Sequence, residues 1–306
     1  MQILKNVLAR LRKNYYQWHY HHAAKEVLKT TPITLGQLPF MLLSMVHQRD
    51  VLSYLVAVKS FASYANPSRI VVVCDPSIAT ADREVLRSHV PHIELVDAVD
   101  FVHPDIPRGG CWERLFAISH YVESNYVVQL DADTVTFRPI PEVLTAIQKS
   151  EGFVLGEEAD QPLLSLETTS HNAKGRLQTR PHIQTYSEVA MVDVGLPPTS
   201  KYVRGCAGFT GFPQTNAMRV DMLNFSRLMK AHFEEKWSTW GTEQVASNFL
   251  VANAPGTTVL PFPKYGTPDA EGDDTAFLHY IGSLRFINRK YQHRSEQSVR
   301  YLLKSN

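Results

Sequence analysis

The most constraining feature is a regular alternation of short apolar runs and amphipathic stretches through the first half of the chain. Pro39 to Val46 and Arg69 to Asp75 are apolar runs of strand length, while Val51 to Tyr64 places Leu52, Leu55, Val56, Val58 and Phe61 at helical spacing. Asn66-Pro67 ends that helix. Ala79 to Val90 predicts a charged surface helix, and Ile93-Glu94-Leu95-Val96 predicts a third strand. After the Gly109-Gly110 turn, Cys111 to Ser124 predicts a helix with Trp112, Leu115, Phe116 and Ile118 inward. Strands that alternate with helices are joined by right-handed crossovers, and continuously apolar strands are buried on both faces. The expectation is an α/β fold with a mainly parallel central sheet and helices on both faces. With 306 residues, 44% of them hydrophobic, the chain can bury one large elaborated domain. We place it at residues 35–290, between a basic amphipathic segment (1–34) and a C-terminal tail (291–306).

Tyr126-Val127-Val128-Gln129-Leu130 is a buried strand that stops on Asp131-Ala132-Asp133. Ligands of open α/β sheets bind beyond the carboxyl ends of the strands, so this carboxylate pair is placed to hold a hard divalent cation over a crevice. Mn²⁺ or Mg²⁺ takes one or two carboxylates plus substrate phosphates, which suits the spacing better than a closed protein cage does. Turn chemistry alone can also place Asp after a strand. Neither GxGxxG nor GxxxxGK[ST] occurs at any strand–helix turn, so the sequence supports neither a dinucleotide dehydrogenase nor a P-loop nucleotidase.

Downstream, Glu142 to Lys149 predicts a short helix and Gly152 to Gly156 a strand ending on Glu157 and Glu158. The alternation stops at 160–204, a polar stretch rich in Thr, Ser, Pro and His. Its length is unusual for a structureless connection, and it reads as a substrate-facing insertion. Gly205 to Pro213 carries three glycines, which either let backbone approach a ligand or make a tight strand–turn junction. Helices over Val220 to Phe233 and Thr242 to Val251, the second opening on Glu243-Gln244, lead to Ala276 through Arg285. That closing segment ends a strand on His279 and adds Gly282 and Arg285: a nitrogen ligand, a glycine that permits backbone approach, and a cation suited to phosphate oxygens. His279 would complete an Asp/Asp/His set with Asp131 and Asp133.

The net charge of +1 gives no reason to expect nucleic acid as a partner. Residues 1–30 hold Lys5, Arg10, Arg12, Lys13, Lys25 and Lys29 against Glu26 alone, or +5, which leaves −4 for the remainder. Ile3, Leu4, Val7, Leu8 and Leu11 share one helix face there, followed by Tyr15, Tyr16 and Trp18. Such a helix either rests on an anionic membrane surface or packs on its own domain or a second subunit. His19, His21 and His22 fall on different faces of it and form no metal tract. Cys74, Cys111 and Cys206 are scattered and odd in number, which fits a reducing cytosol better than a disulfide framework. No run approaches the length of a membrane span. The expected location is cytoplasmic, with peripheral attachment to the inner membrane face as an option.

The strand-then-Asp-x-Asp unit 127–133, the Glu243-Gln244 pair and His279-Tyr280-Ile281-Gly282-Ser283-Leu284-Arg285 resemble a GT-A-fold nucleotide-sugar glycosyltransferase. The similarity is greatest to glycosyltransferase family 8, the glycogenin and bacterial galactosyltransferase group, and covers residues 38–288. It implies that Asp131, Asp133 and His279 bind Mn²⁺ (or Mg²⁺), and that Gly282 and Arg285 hold the diphosphate of a UDP-sugar. It also implies that Arg114 contacts the donor and that Glu243-Gln244 lies beside the transferred sugar. Arg285 stands where that group has lysine, Phe286-Ile287 where it has Pro-Trp, and Val46-His47-Gln48 lacks its uridine-gripping signature. The implied reaction is transfer with retention to a hydroxyl of a glycan or lipid-linked acceptor, the leaving phosphate taking the proton. Trp240-Gly241-Thr242-Glu243 also resembles the segment that supplies the base of some inverting enzymes, which would make Glu243 that base. A sugar-nucleotide nucleotidyltransferase would share the sheet, but it normally carries a glycine-rich basic loop after its first strand, and Met45 to Arg49 has no glycine. A non-catalytic carbohydrate-binding or scaffold protein is the remaining alternative.

Overall fold

The computed structural model describes residues 2–282 and 285–304, with backbone alone over residues 2–6. Helix α1 (Gln2–Ala24) precedes β1 (Leu38–Val46), α2 (Val51–Ala65), β2 (Pro67–Cys74), α3 (Thr80–His89) and β3 (Ile93–Asp97), the alternation expected. Then α4 (Trp112–Tyr121) feeds β4 (Tyr126–Leu130), with β5 (Thr134–Thr136), α5 (Pro141–Lys149) and β6 (Phe153–Leu155) after it. The expected insertion holds β7 (Leu164–Ser165), α6 (Leu166–Arg176), α7 (Ile183–Ala190) and β8 (Lys201–Tyr202), with β7 and β8 paired antiparallel. Next come β9 (Cys206–Phe212), α8 (Met218–Phe233), α9 (Thr242–Ala252) and β10 (Thr258–Val259). The chain closes with β11 (Tyr265–Gly266), β12 (Phe277–His279) and α10 (Lys290–Lys304), so most of the expected tail is helical.

The main sheet has the order β10-β6-β9-β4-β1-β2-β3 and is parallel except for β9, which runs against both β4 and β6. The insertion leaves the rim at the carboxyl end of β6 and re-enters at the same rim, so the next strand has to run back down. Both faces are covered, as the continuously apolar strands require. Phe40, Leu42, Ile70, Val72 and Val128 join a core with α2 and α10, while Met41, Leu43, Val71, Val73 and Val127 join one with α4, α8 and α9. Successive residues of one strand therefore feed opposite layers.

The N-terminal helix is divided. Tyr20 and Ala24 are buried, and Tyr20 stacks on Tyr291 (centroids 4.0 Å apart), which stacks on Tyr280 (4.2 Å). This ladder fixes α1 and α10 to the segment that follows β12. Val7, Leu8, Leu11, Tyr15 and Trp18, by contrast, are exposed; the side chains of Ile3 and Leu4 lie outside the described residues. Among the described residues no helix is long and apolar enough to cross a membrane.

Candidate active site

Two short strands bring the acidic pair and the histidine together. Asp131 leaves β4, its backbone N–H donating to Gly208 O at 2.8 Å, and Asp133 leads into β5. β5 pairs antiparallel with β12, placing His279 opposite Thr134, and Tyr280 N donates to Asp133 O at 2.8 Å. The imidazole, only 3% exposed, sets Nε2 at 3.2 Å from Asp133 Oδ1 and 3.5 Å from Asp131 Oδ2. One ligand atom from each of the three residues lies within 4.8 Å of the others. Two carboxylate oxygens and one imidazole nitrogen at this separation can hold a divalent cation, so the residues present fit a metal.

The remaining oxygen of each carboxylate is held by an arginine. Arg114, buried on α4, donates through Nη1 to Asp131 Oδ1 and through Nη2 to Glu243 Oε1 at 3.1 Å. Arg285 donates through Nε (3.1 Å) and Nη2 to Asp133 Oδ2, and through Nη1 to Asp50 Oδ1 at 2.7 Å. The outer oxygens are thus occupied and the inner ones, Asp131 Oδ2 and Asp133 Oδ1, face His279. Burial alone would raise the Asp133 carboxyl, but His279 and Arg285 hold it well below the usual carboxylate range. His279 is displaced well upward: contacts with Cys206 and Asp133 outweigh the burial that opposes its charge. Buried Glu243 is pushed up to about 7 by desolvation, Arg114 pulling the other way.

The other expected residues fall around this centre. Gln244, half-buried at the start of α9, donates Nε2 to Gln184 Oε1 of the insertion at 3.3 Å. Gly282 and Arg285 line a cleft of about 280 Å³ with Lys13, His21 and Arg49, so the N-terminal helix forms one of its walls. A Cβ on Gly282 would meet nothing, leaving its backbone open to that cleft. Ser283 and Leu284, part of the motif between them, lie outside the described residues. Arg114 does not line that cleft; it links Asp131 to Glu243.

Three participants were not anticipated. Asp50, just past β1, is the second partner of Arg285. Cys206 Sγ lies 3.1 Å from His279 Nδ1, the nitrogen turned away from the carboxylates. Gly208 packs flat on the imidazole, where any Cβ would overlap the ring. The glycines of β9 accommodate side chains of the protein, Gly211 making room for Phe153 in the same way. The glycine-rich strand was the available signal for this, but its sequence does not say which side chain is accommodated. A cavity of about 680 Å³ lies at the other end of the sheet behind Phe212, and no candidate residue lines it. Phe212 pairs with Val127 at the start of β4, whereas Phe209 pairs with Leu130 beside the acidic pair.

This sheet order, with the acidic pair at the carboxyl end of β4, is the GT-A glycosyltransferase fold. No protein-family profile matches the sequence, and no curated protein does. Solved structures share the fold. The apo structure of the bifunctional glycosyltransferase WbbM aligns with a TM-score of 0.54 and 14% identity, over 88% of this chain and 50% of that one. An active-site mutant of LgtC aligns with a TM-score of 0.52 and 13% identity, over 85% of this chain and 95% of that one. The chain therefore spans about half of WbbM and nearly all of LgtC.

Proposed function

We propose that this protein is a metal-dependent glycosyltransferase that moves a sugar from a nucleoside-diphosphate sugar, a UDP-sugar, to a hydroxyl of a glycan or lipid-linked acceptor. The observation that carries the proposal is the convergence of Asp131, Asp133 and His279 at the carboxyl rim of a GT-A sheet. The acceptor oxygen bonds to the anomeric carbon as the bond from that carbon to phosphate oxygen breaks. The electron pair departs with the diphosphate, and the hydroxyl proton passes to a phosphate oxygen. A divalent cation on the three side chains, when bound, offsets the negative charge of the leaving group. Lys13 and Arg49 offer positive charge for phosphate oxygens in the cleft that Arg285, itself held by Asp133 and Asp50, also lines.

Retention is the favoured outcome. Gln244 is half-buried and held by a long hydrogen bond to Gln184, whereas Glu243 is buried and ion-paired with Arg114. One observation favours inversion instead: a carboxyl with its pKa near neutrality, as Glu243 has, is a competent general base. We also infer that α1 rests on the anionic cytoplasmic face of a membrane. Its first half offers exposed Val7, Leu8 and Leu11 beside Arg10 and Lys13, and its second half is fixed to the domain.

The test is release of UDP from UDP-glucose and UDP-galactose with Mn²⁺. Activity should vanish in EDTA and in Asp133→Ala, and full activity in either would remove the proposal.

A further inference from the structure

A second cleft, of about 300 Å³, opens in the segment between β6 and β9. Glu157 follows β6 by two residues and Arg204 precedes β9 by two, and both line it. Leu155 pairs with Cys206, and Cys206 touches His279, so the cleft begins one strand away from the candidate metal residues at the same rim. Its volume is at the lower end of small-ligand pockets, and its lining is mostly polar, with Pro162 and Leu164 as the apolar members.

The cleft is built by a buried acid. Fully buried Glu188 accepts from Arg204 Nη1 through both oxygens (2.7 Å each) and from Arg176 Nη2 at 3.0 Å, which fixes two guanidinium groups in the wall. Groups facing the cleft are left over. Thr169 is 2% exposed and its hydroxyl has no partner; Arg176 Nε is likewise buried without a hydrogen-bond acceptor. Thr169 and Arg176, which carry these two atoms, both stand in the wall of the cleft. Arg180 lines the same wall and makes no side-chain ion pair among the described residues. Polar contacts also lead from the cleft back to the reaction centre. Tyr202 lines it, Gln184 Nε2 lies 3.5 Å from Tyr202 Oη, and Gln184 Oε1 accepts from Gln244. Beside that path Trp240, 70% exposed, presents its indole next to His182 (centroids 6.3 Å apart).

The charges decide the class of occupant. Arg176, Arg180 and Arg204 are matched by Glu157, Glu158 and Glu188, so the cleft has no net charge with which to select an anion. Carboxylates and guanidinium groups facing each other suit groups that both donate and accept, which are sugar hydroxyls. We propose that this cleft is the acceptor subsite, and that it takes a neutral, polyhydroxylated sugar unit of a glycan which leaves past Trp240. The inference rests on the glycosyltransferase proposal.

Saturation-transfer NMR tests it, with methyl β-glucoside and methyl β-galactoside as neutral probes and glucuronic acid and galactose 1-phosphate as anionic ones. The neutral glycosides should bind, and Arg180→Ala and Asn172→Ala, both at exposed positions, should weaken them about tenfold each, the loss of one or two hydrogen bonds. The overturning results are unchanged binding in both variants, binding of the anionic probes alone, or no neutral binding by the wild-type protein. UDP release measured in parallel separates the two proposals. Glycoside binding that depends on Arg180 in a protein that cleaves no sugar nucleotide would keep the cleft and remove the transferase reading, and sugar transfer with Arg180-independent binding would do the reverse.

Discussion

Gly208→Ala should disable the metal site without touching a ligand. The added Cβ would lie 2.5 Å from His279 Nδ1 and 2.8 Å from Nε2, and closer still to Cε1, whereas ordinary contacts begin near 3.4 Å. The ring would have to retreat by about 1 Å, and disturbing the groups that orient a metal ligand costs about 10–100-fold in metal affinity. Little space is available, because Cys206 lies against Nδ1 and the two carboxylates lie against Nε2. Overpacking should lower stability by about 1–3 kcal/mol whatever the metal does, so the informative quantity is the stabilisation gained on adding Mn²⁺. At a metal concentration of about 100 Kd the wild type gains about 2.7 kcal/mol, and a 100-fold weaker variant gains only about 0.4. For a chain of 306 residues the difference is a melting-temperature shift of about 3–4 °C that the variant fails to show. Thermal unfolding with and without Mn²⁺ reads this shift, and electron paramagnetic resonance of free Mn²⁺ reads the affinity directly. Wild-type affinity in Gly208→Ala would refute the reasoning, because His279 would then be dispensable or free to bind from another position.

Stereochemistry is read from the anomeric proton of the product by NMR: retention is expected, with Gln244→Ala more damaging than Glu243→Gln, and an inverted product would make Glu243 the base at a cost of about 10²–10⁴ in turnover for Glu243→Gln. Glu243 should also make stability pH-dependent. Its folded pKa of about 7 lies above the ordinary 4.5, so the native state keeps a proton that the unfolded chain has released, and stability falls as pH rises between those values, by at most about 3 kcal/mol. Glu243→Gln should flatten the melting-temperature profile over that window, and an unchanged slope would show that the carboxyl titrates normally. Full-length protein should sediment with anionic liposomes at low salt, gaining about 1 kcal/mol per basic residue near the surface, and release as salt rises. Removal of residues 1–18 should abolish sedimentation, and an oligomer that dissociates on this truncation would make α1 an assembly element instead.

What the sequence made legible was whatever one covalent segment delivers. Tyr126 to Leu130 had to be a buried strand, and Asp131 and Asp133 followed it to the rim. His279 could be recognised by its place at a strand end, but its pairing with Asp133 depends on β12 lying antiparallel to β5, a contact between short strands far apart in the chain. The insertion was legible as a polar interruption and not as two helices. In Leu166 to Arg176 the buried face is Leu166, Thr169, Ser170 and Ala173, which carries too little apolar character for its period to stand out. The least legible part was the order of charges. Asp50, Arg285, Asp133, His279, Asp131, Arg114 and Glu243 form one alternating chain in space, assembled from five separate regions of sequence. That order has a physical consequence. Each arginine neutralises the outer oxygen of one carboxylate, which offsets the repulsion between the two adjacent acids, and their inner oxygens stay aimed at the point His279 also faces. The fold therefore prepares the metal site, and the cation has to replace the contacts between His279 and the two inner oxygens together with the proton that the upward-shifted imidazole holds.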